Sequence, residues 1–226
     1  MRQLVLDLRP ERPPTLENFV VGDNAELLAN LARIAENDAA LAHIYIWGAA
    51  GSGRTHLLRA TAARAQAAGR AAFCLAAEAV GDELPIEAGA LVAVDDVDRL
   101  SDAAQIALFN AFNRARGNAQ TLLLAGAAAP LRLALREDLR TRIGQCLVFE
   151  ARPLDDAARA DILRALAERS GLKLADEVVA FLLNHGRRDL PSMAAAFAAL
   201  DAASLEHKRP VTLPLLRQLM QQGLDL

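Results

Sequence analysis

The sequence predicts an α/β fold: a parallel sheet built around a phosphate-binding loop (P-loop) and flanked by helices, followed by a small all-helical subdomain. Three observations carry this. Residues 43–58, HIYIWGAAGSGRTHLL, read as strand, glycine loop and helix in direct succession. Short apolar runs then alternate with helical stretches as far as Glu150, the pattern of a sheet whose parallel strands are joined by crossover helices. Beyond Asp155 no strand-like run occurs, and four helical segments follow.

Taken in order, the chain opens with Leu4, Leu6 and Leu8 at a spacing of two, so that an extended backbone puts them on one face with Gln3 upstream. Prolines at 10, 13 and 14 cut this octet off as a stiffly tethered segment. Such a segment suits a docking peptide and equally suits an edge strand or a tail folded on its own domain. Residues 15–22 are a turn with apolar content, and 24–36 have the periodicity of an amphipathic helix for which Asp23 is a candidate cap. Ile44 to Trp47 form the first core strand, and the helix after the loop runs to about Ala68 and stops at Gly69. Residues 71–75 are a second strand, 81–89 a loop, and 90–96 an apolar strand that ends in Asp95 and Asp96. Ser101 caps a helix over 101–116, then come a strand at 121–125, a short helix at 135–143 and a strand at 146–150. Helices at 157–170, 176–185, 192–206 and 213–222 complete the chain, punctuated by Gly171, Gly186 and Arg209-Pro210. The expected organisation is a peptide and linker over 1–14, an α/β subdomain over 15–152 and a helical subdomain over 153–226.

The 53% hydrophobic fraction is ample for a core. A net charge of −3 argues against a protein that grips duplex DNA by bulk charge. Cys74 and Cys146 each sit in a strand-like apolar run and are expected to be two buried thiols in a reducing compartment. With no secretory signal and no apolar span of membrane length, the expected location is the cytoplasm, with no membrane partner. His43, His56, His185 and His207 show no metal-ligand spacing.

Residues 48–55, GAAGSGRT, match G-x-x-x-x-G-K-[ST] at every fixed position except one, where Arg54 replaces lysine. Gly51 and Gly53 let the backbone curl so that N–H groups, Ser52 among them, can face phosphate oxygens. Thr55 can offer its hydroxyl to Mg²⁺, and the helix dipole that begins near His56 favours an anion. Asp95 is the expected metal partner, and Asp96 stands where a general base would activate water. Asp96 is one methylene shorter than a glutamate, which handicaps it as a base. The strand at 121–125 ends in alanine and glycine, with no polar side chain to contact a γ-phosphate.

These motifs together resemble the AAA+ family, and within it the bacterial replication initiator DnaA with its shorter regulatory relatives of the Hda group. The similarity covers nearly the whole chain from Thr15. It implies that Val20 and Val21 pack on the nucleotide base. It further implies that Gly48, Gly51, Ser52, Gly53, Arg54, Thr55 and His56 form the Walker A loop, and that Asp95 and Asp96 close Walker B. Residues 139–143, LRTRI, are similar to the arginine-finger segment, with Arg142 as the finger. Residues 187–190, RRDL, resemble the second sensor, with Arg188 on the γ-phosphate. Gln3, Leu4, Leu6 and Leu8 are similar to the peptide that docks proteins on the DNA polymerase sliding clamp. Arg54 and the end of the chain near the lid, without a helix-turn-helix domain, fit the regulatory relatives better than the initiator.

The resemblance therefore implies a regulatory adaptor that binds ADP or ATP with Mg²⁺, ADP being the expected resident. It would dock on the sliding clamp, touch DNA only through that clamp, and promote hydrolysis of the ATP held by DnaA. A homodimer is a further assembly to test. The alternatives are an AAA+ ATPase of the clamp-loader or helicase-loader type that turns over its own ATP, and a surface-arginine role for Arg142 beside Arg136 and Arg140.

Overall fold

The computed structural model describes residues 13–37, 43–172, 174–185, 190–207 and 211–221. The sequence assignments to Gln3, Leu4, Leu6, Leu8 and Arg188 lie outside the described residues. The chain forms two compact units, one from the described parts of 1–20, 26–47 and 54–149, the other from 21–25, 48–53 and 150–226.

The first unit contains the sheet. Its strands are β1 (Ile44–Trp47), β2 (Ala72–Ala76), β3 (Leu91–Asp95), β4 (Thr121–Gly126) and β5 (Leu147–Glu150), in the order β2-β3-β4-β1-β5. β1 and β4, β3 and β4, and β2 and β3 pair in parallel, with Trp47 opposite Gly126 and Ala76 opposite Asp95. The central strands are apolar on both faces, as a sheet covered on two sides requires: every residue of β3 is buried, as are Ile44, Tyr45 and Ile46. The helices are α1 (Ala25–Ala35), α2 (Arg54–Ala67), α3 (Asp102–Ala115) and α4 (Glu137–Gly144). One core joins Val92, Val94, Leu122 and Leu124 of the sheet to Leu108 and Phe112 of α3 and Leu139 and Ile143 of α4.

Local chemistry explains the boundaries. Ser101 Oγ accepts from the Ala104 N–H at 3.2 Å and caps α3 as expected. α2 ends in a Schellman turn, with Gly69 at φ +79°, its N–H on Gln66 O, and the Arg70 N–H on Ala65 O. Arg70 then ties the amino ends of the strands together. Its Nε donates to Gly89 O at 2.7 Å, Nη1 to Ile34 O at 2.5 Å, and Nη2 to Thr121 Oγ1 at 2.8 Å.

The structure corrects three expectations. Cys74 is exposed, because β2 is an edge strand and this position faces outward. Cys146 precedes β5 instead of belonging to it; burial pushes its thiol up to about 12, and the thiol contacts Arg142 O at 3.6 Å. Asp23 does not cap α1. The residue before the helix is Asn24, whose amide instead bonds both backbone groups of Arg152, at 2.9 and 2.8 Å.

The second unit is helical: α5 (Asp156–Arg169), α6 (Asp176–His185), α7 (Leu190–His207) and α8 (Leu213–Gln221). Asp155 caps α5 by accepting from the Ala158 N–H at 2.7 Å. Leu163, Val178, Val179, Leu182, Met193, Leu200, Val211 and Leu216 pack into its core. No helix among the described residues is long and apolar enough to cross a membrane.

Candidate functional site

Residues 48–53, with the turn at 21–25, belong to the second unit. Gly51 and Gly53 hold φ of +78° and +88°, conformations that side chains resist. The Ser52 N–H turns back on Ala49 O at 3.2 Å. Gly48 is fixed by crowding: a Cβ there would lie 2.6 Å from Ala151 O and 2.8 Å from Ser52 Oγ. The motif marks Gly48, but only the fold shows that Ala151 is what excludes a side chain. Ser52 Oγ is buried with no hydrogen-bond partner.

In the first unit, the first turn of α2 and the end of β3 bring four predicted residues together. Thr55 Oγ1 donates to Asp95 Oδ2 at 2.6 Å, and the Asp96 N–H donates to Asp95 Oδ1 at 3.0 Å. Asp96 sits at φ +50°, a left-handed conformation that aspartate tolerates better than most residues. Arg54 Nη2 meets Asp96 Oδ1 at 3.3 Å, while Arg54 Nη1 is buried without a partner. Burial, and then the Asp95 carboxylate, raise the Asp96 carboxyl above its ordinary value, against the pull of Arg54.

A Mg-nucleotide can be tested against these groups. Thr55 and Asp95 are hard oxygen donors of the kind Mg²⁺ accepts. Among the described residues no cluster of three or more metal-binding side chains exists, so protein ligands alone would leave the ion's shell open for phosphate and water. Beside Thr55 and Asp95 in the first unit, the unpartnered Arg54 Nη1 is a donor that a phosphate oxygen would satisfy. The residues fit the group.

Sequence reasoning missed what surrounds the end of β4. Tyr45 donates its hydroxyl to Ala128 O at 2.6 Å, and the Ala127 N–H donates to Asp98 Oδ1 at 2.8 Å. Side chains of β1 and of the turn after β3 thus pin the backbone that follows β4, and these contacts are structural. The signal in the sequence was a lone tyrosine within an apolar strand. His56, placed beside the loop by the motif, spends its Nε2–H on Thr15 O at 2.9 Å and packs near Phe19, 5.6 Å between ring centroids. Val20 is half-buried and Val21 is exposed.

Arg142 stands on α4, exposed. Its Nη2 donates to Asn113 Oδ1 at 3.0 Å, and its guanidinium lies 5.9 Å from the Phe109 ring centre. Arg136 is neutralised by Asp138 at 2.8 Å, whereas among the described residues no carboxylate pairs with Arg142. A surface groove of roughly 860 Å³ runs beside it, lined in part by Phe109, Glu137 and Thr141.

The sheet order, the glycine loop opening α2, the acidic end of β3 and the helical unit that follows define an AAA+ P-loop protein with a lid. A family model described as the bacterial DnaA ATPase domain matches residues 11–79, and one described as the Hda lid domain matches 156–220. An uncharacterized protein of Haemophilus influenzae is 33% identical over 230 residues, covering 97% of this chain and 98% of that protein. Domain III of Thermotoga maritima DnaA superposes with a TM-score of 0.73 at 20% identity, covering 96% of this chain and 99% of that one. AMPPCP-bound DnaA from Aquifex aeolicus gives 0.73 at 24% identity over 87% and 67% of the two chains. A point variant of Thermotoga maritima RuvB gives 0.70 at 19% identity over 93% and 72%. The chain belongs to the Hda-like, DnaA-related AAA+ proteins.

Proposed function

We propose that this chain is an adaptor that holds ADP or ATP, docks on the DNA polymerase sliding clamp, and promotes hydrolysis of the ATP bound to the initiator DnaA. The observation that carries the proposal is the state of Arg142: exposed, charged without a carboxylate partner among the described residues, and steadied on its own surface by a neutral amide. A guanidinium in that state can be presented to a neighbouring subunit without first breaking an ion pair. Arginines supplied in trans accelerate nucleotide hydrolysis by ~10³–10⁵-fold.

Gln3, Leu4, Leu6 and Leu8 are the proposed clamp contacts. Residues 48–55 would cradle the phosphates, with Thr55 and Asp95 holding Mg²⁺ and Arg188 contacting the γ-phosphate from the lid. Bound Mg²⁺ supplies charge neutralisation at the phosphates. Within this chain Thr55 and Asp95 orient one another through their 2.6 Å hydrogen bond, and one oxygen of Asp96 is taken by Arg54.

The test mixes clamp, DNA and ATP-loaded initiator with the protein or with its Arg142→Ala variant. The variant is expected to lose at least about 100-fold of the stimulated hydrolysis rate. Full stimulation by the variant would remove the finger role. Partner-free turnover of several per second, roughly the scale of a working enzyme, would favour the loader-type ATPase instead.

A further inference from the structure

We propose that Arg54 and Asp96 form a latch that keeps this chain's own nucleotide unhydrolysed: one arm of the guanidinium stays on the Asp96 carboxylate, and only the other takes a phosphate oxygen. This rests on residues 48–55 being a phosphate loop, and it adds a role for the substituted residue that the motif does not contain. Arg54 is the first residue of α2, so the loop delivers it at the helix N-terminus. Its side chain is only 13% exposed. Nη2 is on Asp96 Oδ1 at 3.3 Å, and Nη1 is buried with no partner. A guanidinium presents two terminal amino groups on one rigid plane, so it can serve two acceptors at once, whereas a lysine ammonium is a single point charge. The unpaired arm in an interior position calls for an acceptor, and the oxygen donors beside it, Thr55 on Asp95, are arranged for a Mg-phosphate.

The backbone holds the carboxylate in place. Asp95 accepts from Thr55 on one oxygen and from the Asp96 N–H on the other, which fixes Asp96 in its left-handed conformation at φ +50°. Asp96 is therefore presented to Arg54 by geometry that does not depend on the arginine. With Oδ1 on the guanidinium, Asp96 has one oxygen fewer to offer an attacking water, which handicaps it as a base and slows turnover of this chain's own nucleotide.

The test is a double-mutant cycle on the affinity of the whole chain for a fluorescent ADP analogue, with no clamp or initiator present. Asp96→Asn keeps the shape and removes the charge, which weakens the hold on the second arm of Arg54. It is expected to tighten ADP binding about three- to tenfold, within the range of coupling between contacting groups. In an Arg54→Met background, which keeps the stem, the same change is expected to alter affinity less than about twofold. Equal tightening in both backgrounds would mean that Asp96 acts only through its field, and would overturn the latch, as would no tightening in either. Restoring a point charge and a longer acid together, R54K with D96E, is expected to raise partner-free ATP turnover at least about tenfold; no rise would overturn the role in keeping the nucleotide unhydrolysed. Failure of the wild-type chain to bind ADP would strike the phosphate-loop reading instead. None of these results depends on whether Arg142 acts on the initiator.

Discussion

Gly126 closes β4 in a space that no side chain can share. A Cβ there would lie 2.5 Å from Tyr45 Oη, 3.1 Å from Asp98 Oδ1 and 3.2 Å from Val97 Cγ2. Gly126→Ala is expected to cost about 1–3 kcal/mol of unfolding free energy, as overpacking does, measured by urea denaturation. Tyr45→Phe in the same chain removes the nearest atom and should recover part of that loss, even though it leaves Ala128 O without its donor. A G126A chain as stable as wild type would show that the turn after β4 yields easily. At this scale the motif residues were legible because their chemistry is contiguous: Gly51, Gly53 and Thr55 declare themselves within one loop. What was hidden needed partners far along the chain. Arg54 and Asp96 are 42 positions apart, and nothing local in either says they pair.

At the scale of elements, most helices and strands could be read from their caps and apolar runs, including the Ser101 and Gly69 boundaries. Strand order could not, and it decides exposure: β2 is an edge, so Cys74 emerges on the surface even though its run looks like an interior strand. Register also creates a pH dependence at the start of β1. The Leu122 N–H donates to His43 Nδ1 at 3.1 Å, and the imidazole packs edge-on against Phe112, 5.3 Å between ring centroids. That nitrogen must be unprotonated to accept, and burial holds the ring below its ordinary value of 6.5. The unfolded chain therefore binds a proton near pH 6.5 that the folded chain refuses. The stability contributed by neutral His43 is complete above that pH and is lost as pH falls through 6.5 toward the depressed folded value. Urea midpoints at about pH 7.5 and about pH 5.5, either side of that ordinary value, should show the drop. His43→Asn, which keeps an acceptor and cannot titrate, should flatten it; an unchanged slope would assign the effect to other groups.

At the scale of the whole molecule, a chain of net charge −3 has little of its own with which to hold DNA. If the proposed function holds, its meeting with an initiator on DNA is expected to depend on tethering. A tether raises effective concentration without adding contacts, to about millimolar for short flexible links, whereas an arginine finger acts on the rate of the bound complex. The two contributions can be separated by concentration. Replacing Gln3 and Leu6 by alanine is expected to reduce clamp-dependent hydrolysis at least about tenfold when the initiator is dilute. It should leave ADP affinity within about twofold of wild type, since the peptide is not part of the phosphate loop. Raising the initiator concentration should restore the rate of this variant, because encounter alone was lost. The same increase should not rescue Arg142→Ala, whose encounter is intact and whose chemistry is not. A free peptide of residues 1–9 should reproduce the first defect by competition. If the Gln3/Leu6 variant stimulates fully at low initiator, the leucines of the leading octet are not a tether, and recruitment must reside in the AAA+ surfaces themselves.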